Sequence, residues 1–255
     1  MRPAAAGAPV LVVMPAWNEE ESVAMVVKEA QAAVPEADIL VVDDDSSDRT
    51  AAAAREAGAD VIENVFNLGV GGAMRVGFRY AARRGYSAVV QVDADGQHDP
   101  RDIPRLLECL AEAGGPGAEE PHVVIGARFA GVGRFPVPRA RRVAMRMLAS
   151  YLSRMTGTGL TDVTSGFRAY NRAAIELFAR TYPAEYLSDT VESLVIASRS
   201  GARVSQVPVS MRPRMAGTPS QPSWRAVGYL LRVSVMLLLE RIRRHPPPDQ
   251  PEEDR

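Results

Sequence analysis

The chain holds one cysteine, Cys109, and one lysine, Lys28, in 255 residues. A single cysteine excludes an internal disulfide framework and fits a reducing compartment such as the cytoplasm. Cys109 falls in an apolar helical pattern and reads as core. With one lysine among 30 basic residues, any anion site must be built from arginine, whose planar fork suits phosphate. The net charge of -1 excludes the global basic field that non-specific nucleic-acid binding needs, so no nucleic-acid partner is expected. There is no uninterrupted apolar run of about 18 residues, the length that spans a bilayer. The nearest approach, 227–239, is broken by Arg232. Residues 1–9 are small, read as flexible, and lack the apolar core of a signal peptide. No Gly-x-Gly-x-x-Gly follows the first apolar run and no P-loop occurs anywhere, which argues against a dinucleotide fold and a P-loop NTPase. His98 has no second His or Cys at zinc-ligand spacing.

What is present is an alternation of short Val/Ile/Leu runs with helical stretches, at a hydrophobic content of 46% and a charged content of 24%. Strands are predicted at 10–14, 39–42, 60–65, 88–92 and 122–125, with helices at 20–33, 49–57, 71–84 and 104–113. Ser47 or Asp48 is placed to cap the second helix. The second half is less regular: helix 139–156, strand 163–170, helices 173–178 and 190–200, strand 203–209 and helix 223–244. This alternation predicts an α/β fold with a mainly parallel central sheet flanked by helices. The organisation expected is one domain over 10–222, an amphipathic helix over 223–244 and a disordered tail over 245–255. Residues 114–121 read as a loop.

In open parallel sheets ligands bind outside the carboxyl ends of the strands, and the polar clusters fall there. Pro15-Ala16-Trp17-Asn18-Glu19 follows the first strand, Asp43-Asp44-Asp45 the second, and Asp93-Ala94-Asp95-Gly96-Gln97 the fourth. Crowded carboxylates repel, so three such ends imply a cation or a ligand rich in donors. Asp-x-Asp at a strand end projects two carboxylates to one side of a turn, a hard-oxygen pair suited to Mg²⁺ or Mn²⁺. An isolated pair serves more often as a solvated turn or cap; the two further acidic ends favour the cation. The Gly-rich stretch Asn67-Leu68-Gly69-Val70-Gly71-Gly72 serves either as a tight turn into a helix or as a close backbone approach to a ligand.

Taken together, Met14-Pro15-Ala16-Trp17-Asn18-Glu19-Glu20, Val41-Val42-Asp43-Asp44-Asp45-Ser46-Ser47-Asp48, Asn67-Leu68-Gly69 and Gln91-Val92-Asp93-Ala94-Asp95-Gly96-Gln97-His98 resemble family 2 glycosyltransferases of the GT-A fold. They are most similar to dolichol-phosphate mannosyltransferases and polyprenyl-phosphate glycosyltransferases. Ile125-Gly126-Ala127-Arg128, Asp162-Val163-Thr164-Ser165-Gly166-Phe167-Arg168 and Val207-Pro208-Val209 extend the likeness. The resemblance implies that Pro15, Trp17, Glu19, Val42 and Asp44 surround the nucleoside of a GDP- or UDP-sugar. It implies that Asp93, Ala94, Asp95 and Gln97 hold the diphosphate and the metal, with Asp93, Asp95 and Gln97 as ligands. Arg128 and Arg214 are implied as phosphate contacts. One departure stands out: the pattern has Gly-x-Ser-Lys where this chain has Gly217-Thr218-Pro219-Ser220, so that diphosphate contact either falls to Arg212 or Arg214 or is absent.

The family type implies an inverting single displacement. A lipid-phosphate acceptor is already anionic and needs no general base, whereas a sugar hydroxyl does. Asp162 is the candidate base or acceptor-orienting group, with a purely structural turn carboxylate as its alternative, and Arg128 is its catalytic companion. Arg139 and Arg168 are candidate acceptor contacts. Arg134, Arg139, Arg141, Arg142 and Arg146 form either a solvated face or a patch for phosphate or anionic membrane, beside a Gly/Pro-rich segment at 130–138 able to close over a ligand. Helix 223–244 suits peripheral attachment to the cytoplasmic face of a membrane, or packing against the domain or a homodimer mate. The leading function is hexose transfer to polyprenyl phosphate. Transfer to a glycan or small soluble acceptor is the second, and a non-catalytic nucleotide-sugar-binding protein the third.

Overall fold

The computed structural model describes residues 9–112, 122–128, 139–183 and 189–212. Among them runs a seven-stranded sheet in the order β3-β2-β1-β4-β6-β5-β7. The strands are β1 (Val10–Ala16), β2 (Asp38–Asp43), β3 (Asp60–Glu63), β4 (Ala88–Gln91), β5 (His122–Ala127), β6 (Arg168–Asn171) and β7 (Arg203–Pro208). Strands β1 to β4 pair in parallel, as do β5 and β7, while β6 runs antiparallel to both β4 and β5. The expectation of a mainly parallel sheet therefore holds with one reversal.

Helices α1 (Val23–Ala33), α2 (Thr50–Glu56), α3 (Gly69–Arg84), α4 (Ile103–Glu112), α5 (Arg139–Thr156), α6 (Arg172–Thr181) and α7 (Asp189–Arg199) flank the sheet. Helix α1 buries Val23, Val26, Val27 and Ala30, the spacing of one helical face. One core layer joins α3, α5, α6 and α7 to the sheet face carrying Leu11, Val13, Val89 and Tyr170. The other joins α1 and α4 to the face carrying Val12, Met14, Val90 and Phe167. Helix α3 lies close on β1: a methyl group at Gly77 would stand 2.5 Å from Val13 Cγ1. Asn171 starts α6 by accepting from the Ala174 amide at 3.0 Å, and it also takes the His122 amide at 2.9 Å, tying β5 to β6.

Of the boundaries that differ from the sequence reading, three do so because side chains compete with the regular backbone. Helix α1 starts at Val23 rather than residue 20, because Glu19 and Glu20 are turned toward the next loop. Strand β3 stops at Glu63, where Asn64 turns to bond Asp44. The strand expected over 163–170 is only Arg168–Asn171. Before it, Asp162 and Ser165 accept from the Thr164 and Phe167 amides and fold a turn instead. Asp48 lies one residue ahead of the N-cap position of α2, which is Arg49 and makes no side-chain cap bond, and accepts from the Thr50 amide at 2.9 Å. Helix 223–244, the tail, the loops at 114–121 and 130–138, and Arg134 and Arg214 lie outside the described residues.

Candidate active site

Because β2, β1 and β4 are adjacent and parallel, their carboxyl ends meet along one edge. Strand β5 points the same way, which brings Arg128 there, and the reversed β6 delivers the turn before it, Asp162 to Phe167, to the same edge.

The first two loops are stitched together. The Asn18 amide donates to Ser46 Oγ at 2.9 Å, and the Ser47 amide to Asn18 Oδ1 at 2.8 Å. The Glu19 amide donates to Thr50 Oγ1 at 2.8 Å. Asn18 and Asp45 take positive φ values of 55° and 64°, left-handed backbone that Asn and Asp tolerate better than most residues. Trp17 stands at the rim, 48% exposed, while Pro15 is buried in β1 beside its register partner Val42. The Val42 side chain is fully buried in the core. Asp44 is also buried. Its carboxylate accepts from Asn64 Nδ2 at 2.7 Å and from the Leu68 and Gly69 amides at 2.9 and 2.7 Å. It holds the entry to α3, and Gly69 takes a φ of 76° there, so the Gly-rich stretch is a tight turn into a helix.

The turn after β4 is built around an imidazole. The Asp93 amide donates to His98 Nδ1 at 3.1 Å, which leaves the ring proton on Nε2, 3.6 Å from Asp93 Oδ2. His98 stacks on Phe167 at 5.0 Å, and burial lowers its pKa to about 4 against the pull of Asp95, so the ring is neutral at neutral pH. Asp95 Oδ1 accepts from the Gln97 amide at 3.0 Å, closing the turn, and Ala94 is buried beneath it. The Asp93 side chain is 38% exposed. No group of three His, Cys, Asp or Glu side chains able to hold a metal exists among the described residues. Two carboxylates on a turn nevertheless suit a hard divalent cation that completes its shell with substrate phosphates and water.

Across the edge, Arg128 and Asp162 form a bidentate pair. Arg128 Nε and Nη2 donate to Asp162 at 2.5 and 3.0 Å, its amide donates to the same carboxylate at 3.2 Å, and Nη2 also reaches Thr164 Oγ1 at 2.8 Å. Burial acts to raise the Asp162 carboxyl, but the hydrogen bonds and charge of Arg128 outweigh it and hold the group below the usual carboxylate range. Asp162 is thus an ionised anchor for Arg128, and Arg128 keeps 27% of its side chain exposed at the edge.

Two arginines have partners within the fold. Arg168, expected at the acceptor, is fully buried. Its guanidinium donates to the carbonyls of Ser165, Val163 and Thr190 and to Ser193 Oγ, bracing the turn from below. Arg212, a candidate diphosphate contact, is ion-paired to Glu29 and Asp99 at 2.6 and 2.7 Å. Its amide donates to the Gln97 carbonyl at 2.9 Å, and Met211 bridges His98, so the segment leaving β7 is strapped to the Asp93–Gln97 turn. Arg139 opens α5, but its side chain is outside the described residues.

Sequence reading missed three groups here. His98 ends the Gln91–His98 stretch, but its role in the turn is a side-chain contact that spacing does not show. Asp189, at the start of α7, is buried with Oδ2 unpartnered. Gln91 is a buried polar residue in an otherwise apolar strand, and that break in pattern was a legible signal.

A mainly parallel sheet with acidic strand ends and an Asp-x-Asp turn at one edge has the architecture of the GT-A fold. The chain belongs to glycosyl transferase family 2, whose family model matches residues 11–178. It is 35% identical to an undecaprenyl-phosphate mannosyltransferase of Micrococcus luteus over 217 residues, covering 82% of this chain and 85% of that one. It is 34% identical to a polyprenol monophosphomannose synthase of Mycolicibacterium smegmatis over 215 residues, covering 81% and 78%. In fold it resembles glucosyl-3-phosphoglycerate synthase from Mycobacterium tuberculosis, solved with Mn²⁺, UDP-glucose and phosphoglyceric acid. The TM-score there is 0.66 at 22% identity, covering 94% of this chain and 82% of that one. The protein is therefore a glycosyltransferase. Among the described residues no helix is long and apolar enough to cross a membrane.

Proposed function

We propose that this glycosyltransferase moves a hexose of the mannose or glucose type from a GDP- or UDP-sugar to polyprenyl phosphate. The observation that carries the reading is the Asp93-Ala94-Asp95 turn facing an Arg128 whose guanidinium is fixed by a buried, ionised Asp162. Asp93 and Asp95, with Gln97, would hold Mg²⁺ or Mn²⁺, which supplies charge neutralisation of the departing diphosphate. Trp17 and the stitched loops around Asn18 and Ser46 form the nucleoside side. Arg128 would contact a phosphate of the donor or the acceptor at the transfer site, with Arg214 and Arg139 as further candidate phosphate contacts.

Asp162 cannot both lock Arg128 and take a proton readily, since a carboxyl held below its usual range is a weak base. That suits an acceptor phosphate, which arrives anionic. Its oxygen attacks the anomeric carbon, the bond to the diphosphate oxygen breaks, and the nucleoside diphosphate leaves with inversion; no proton is moved. Orientation and charge placement then carry the rate. The relatives named for undecaprenyl phosphate and polyprenol support the same acceptor. Within the catalytic domain at 10–222 all these parts are local, and helix 223–244 would attach the protein peripherally to the cytoplasmic membrane face.

The deciding experiment is a transfer assay with a panel of nucleotide sugars and Mn²⁺ or Mg²⁺, with and without polyprenyl phosphate. Product only with the lipid phosphate is expected. Product only on free glycans overturns the acceptor, and nucleotide-sugar binding without turnover of any donor establishes the non-catalytic alternative.

A further inference from the structure

Strand β4 carries one polar side chain into the interior. Gln91 is 1% exposed, and neither amide atom has a hydrogen-bond partner among the described residues. A buried primary amide offers two donors and two acceptor sites, and leaving them unmatched is unfavourable where an apolar residue of equal length would fit. Arg168, its register partner on β6, offers no relief, because its guanidinium is already bonded to Ser165, Val163, Thr190 and Ser193.

The position of the amide supplies a use for it. Gln91 lies two residues before Asp93, and Gly166 lies against both. A methyl group built on Gly166 would stand 3.1 Å from Gln91 Nε2 and 3.3 and 3.4 Å from the two Asp93 carboxylate oxygens. The amide and the carboxylate thus border one methyl-sized space that a glycine leaves open. Gly166 is kept there by the turn of Asp162 to Phe167, itself tied to β5 through the Gly126 amide and the Phe167 carbonyl at 2.8 Å. Groups that hold a metal-ligating side chain from behind fix which oxygen it turns to the cation, and their loss weakens metal binding about 10–100-fold.

We propose that Gln91 is a positioning residue for Asp93: its amide N–H donates to the Asp93 carboxylate through one water in the space that Gly166 keeps free. The inference rests on the metal reading given under Proposed function. A mere filler at this position would behave differently when made apolar, and that difference is measurable.

The test is Mn²⁺ binding to the full chain, followed by the electron paramagnetic resonance signal of free Mn²⁺, with and without GDP or UDP, alongside thermal unfolding. Gln91→Met keeps the length and removes the amide. The expected result is Mn²⁺ binding about tenfold weaker or more, with a melting temperature equal to or above that of the parent. Gly166→Ala puts a methyl group in the shared space and is expected to weaken Mn²⁺ similarly, with the double variant little worse than either single one. Parental Mn²⁺ affinity in Gln91→Met overturns the proposal. If Gln91→Met does not fold, Gly166→Ala decides alone, a loss supporting the proposal and parental affinity overturning it. Asp95→Ala separates the two layers of inference. Parental Mn²⁺ affinity there overturns the metal reading and this proposal with it. A loss in Asp95→Ala without one in Gln91→Met overturns only the role of Gln91.

Discussion

At the scale of single residues, the carboxylates along this edge do different work according to their partners. Asp44 holds a loop, Asp162 holds an arginine, and Asp93 keeps over a third of its side chain exposed. Asp95→Ala is expected to abolish metal-dependent transfer while leaving the far-ultraviolet circular dichroism and the melting temperature near those of the parent. Retained turnover would remove the Asp-x-Asp turn from the mechanism. Asp189 gives a pH signature. Burial raises its carboxyl to about 6 from an ordinary 3.8, with Arg168 pulling the other way. The folded state therefore binds that proton more tightly than the unfolded chain, so this group adds stability as pH falls from about 6 toward 4 and destabilises above 6. A shift of about two units corresponds to about 3 kcal/mol. Asp189→Asn should be more stable than the parent at about pH 8 and converge with it near pH 4, as read from urea midpoints. A difference that stays flat across that range counts against it. Comparing variant with parent also cancels His98, whose lowered pKa acts in the opposite direction.

At the scale of elements, most strands and helices were legible because their apolar periods are local. The turn over 162–167 was not, since Val163 and Phe167 mimic a strand's alternation while Asp162, Thr164 and Ser165 bond the backbone. Nor was the insertion of β6 between β4 and β5, because strand order depends on partners far apart in the chain. The packing of α3 on β1 is equally hidden: Gly77 looks like a flaw in a helix until Val13 is seen against it. Gly77→Ala should destabilise by about 1–2 kcal/mol, the overpacking against stiff Val13 exceeding the gain in helix propensity. Gly77→Ala combined with Val13→Ala should cost less than the sum of the two single changes in a urea-denaturation cycle. Strict additivity would mean the close approach is relieved elsewhere.

At the scale of the whole molecule, the acidic strand ends were readable in advance as one edge, but the strap from β7 was not. Arg212 reaches Glu29 across 183 positions of sequence, a pairing no spacing rule contains. It binds the segment leaving β7 to the turn after β4, with Arg101 first and Arg212 after it holding Asp99 below the usual carboxylate range. Arg212→Ala should remove about 2 kcal/mol of local stability. Amide hydrogen exchange should quicken at 209–212 and around Gln97 while the central strands keep their protection. Uniform quickening across the sheet would show instead that the strap supports the global fold.

The reversed strand β6 has a further consequence. In a wholly parallel sheet, the residues preceding a strand sit at the edge opposite those following it. Running one strand backwards brings a leading segment, Asp162 to Phe167, to the edge where every other contribution is a trailing one. The edge thereby draws on two stretches of chain: the loops before residue 98, and Arg128 with the turn Asp162 to Phe167. Those two stretches share no strand. They meet instead side by side, as where Gly166 lies against Gln91 and Asp93, so a change of side-chain volume in the later stretch is transmitted directly to the earlier one.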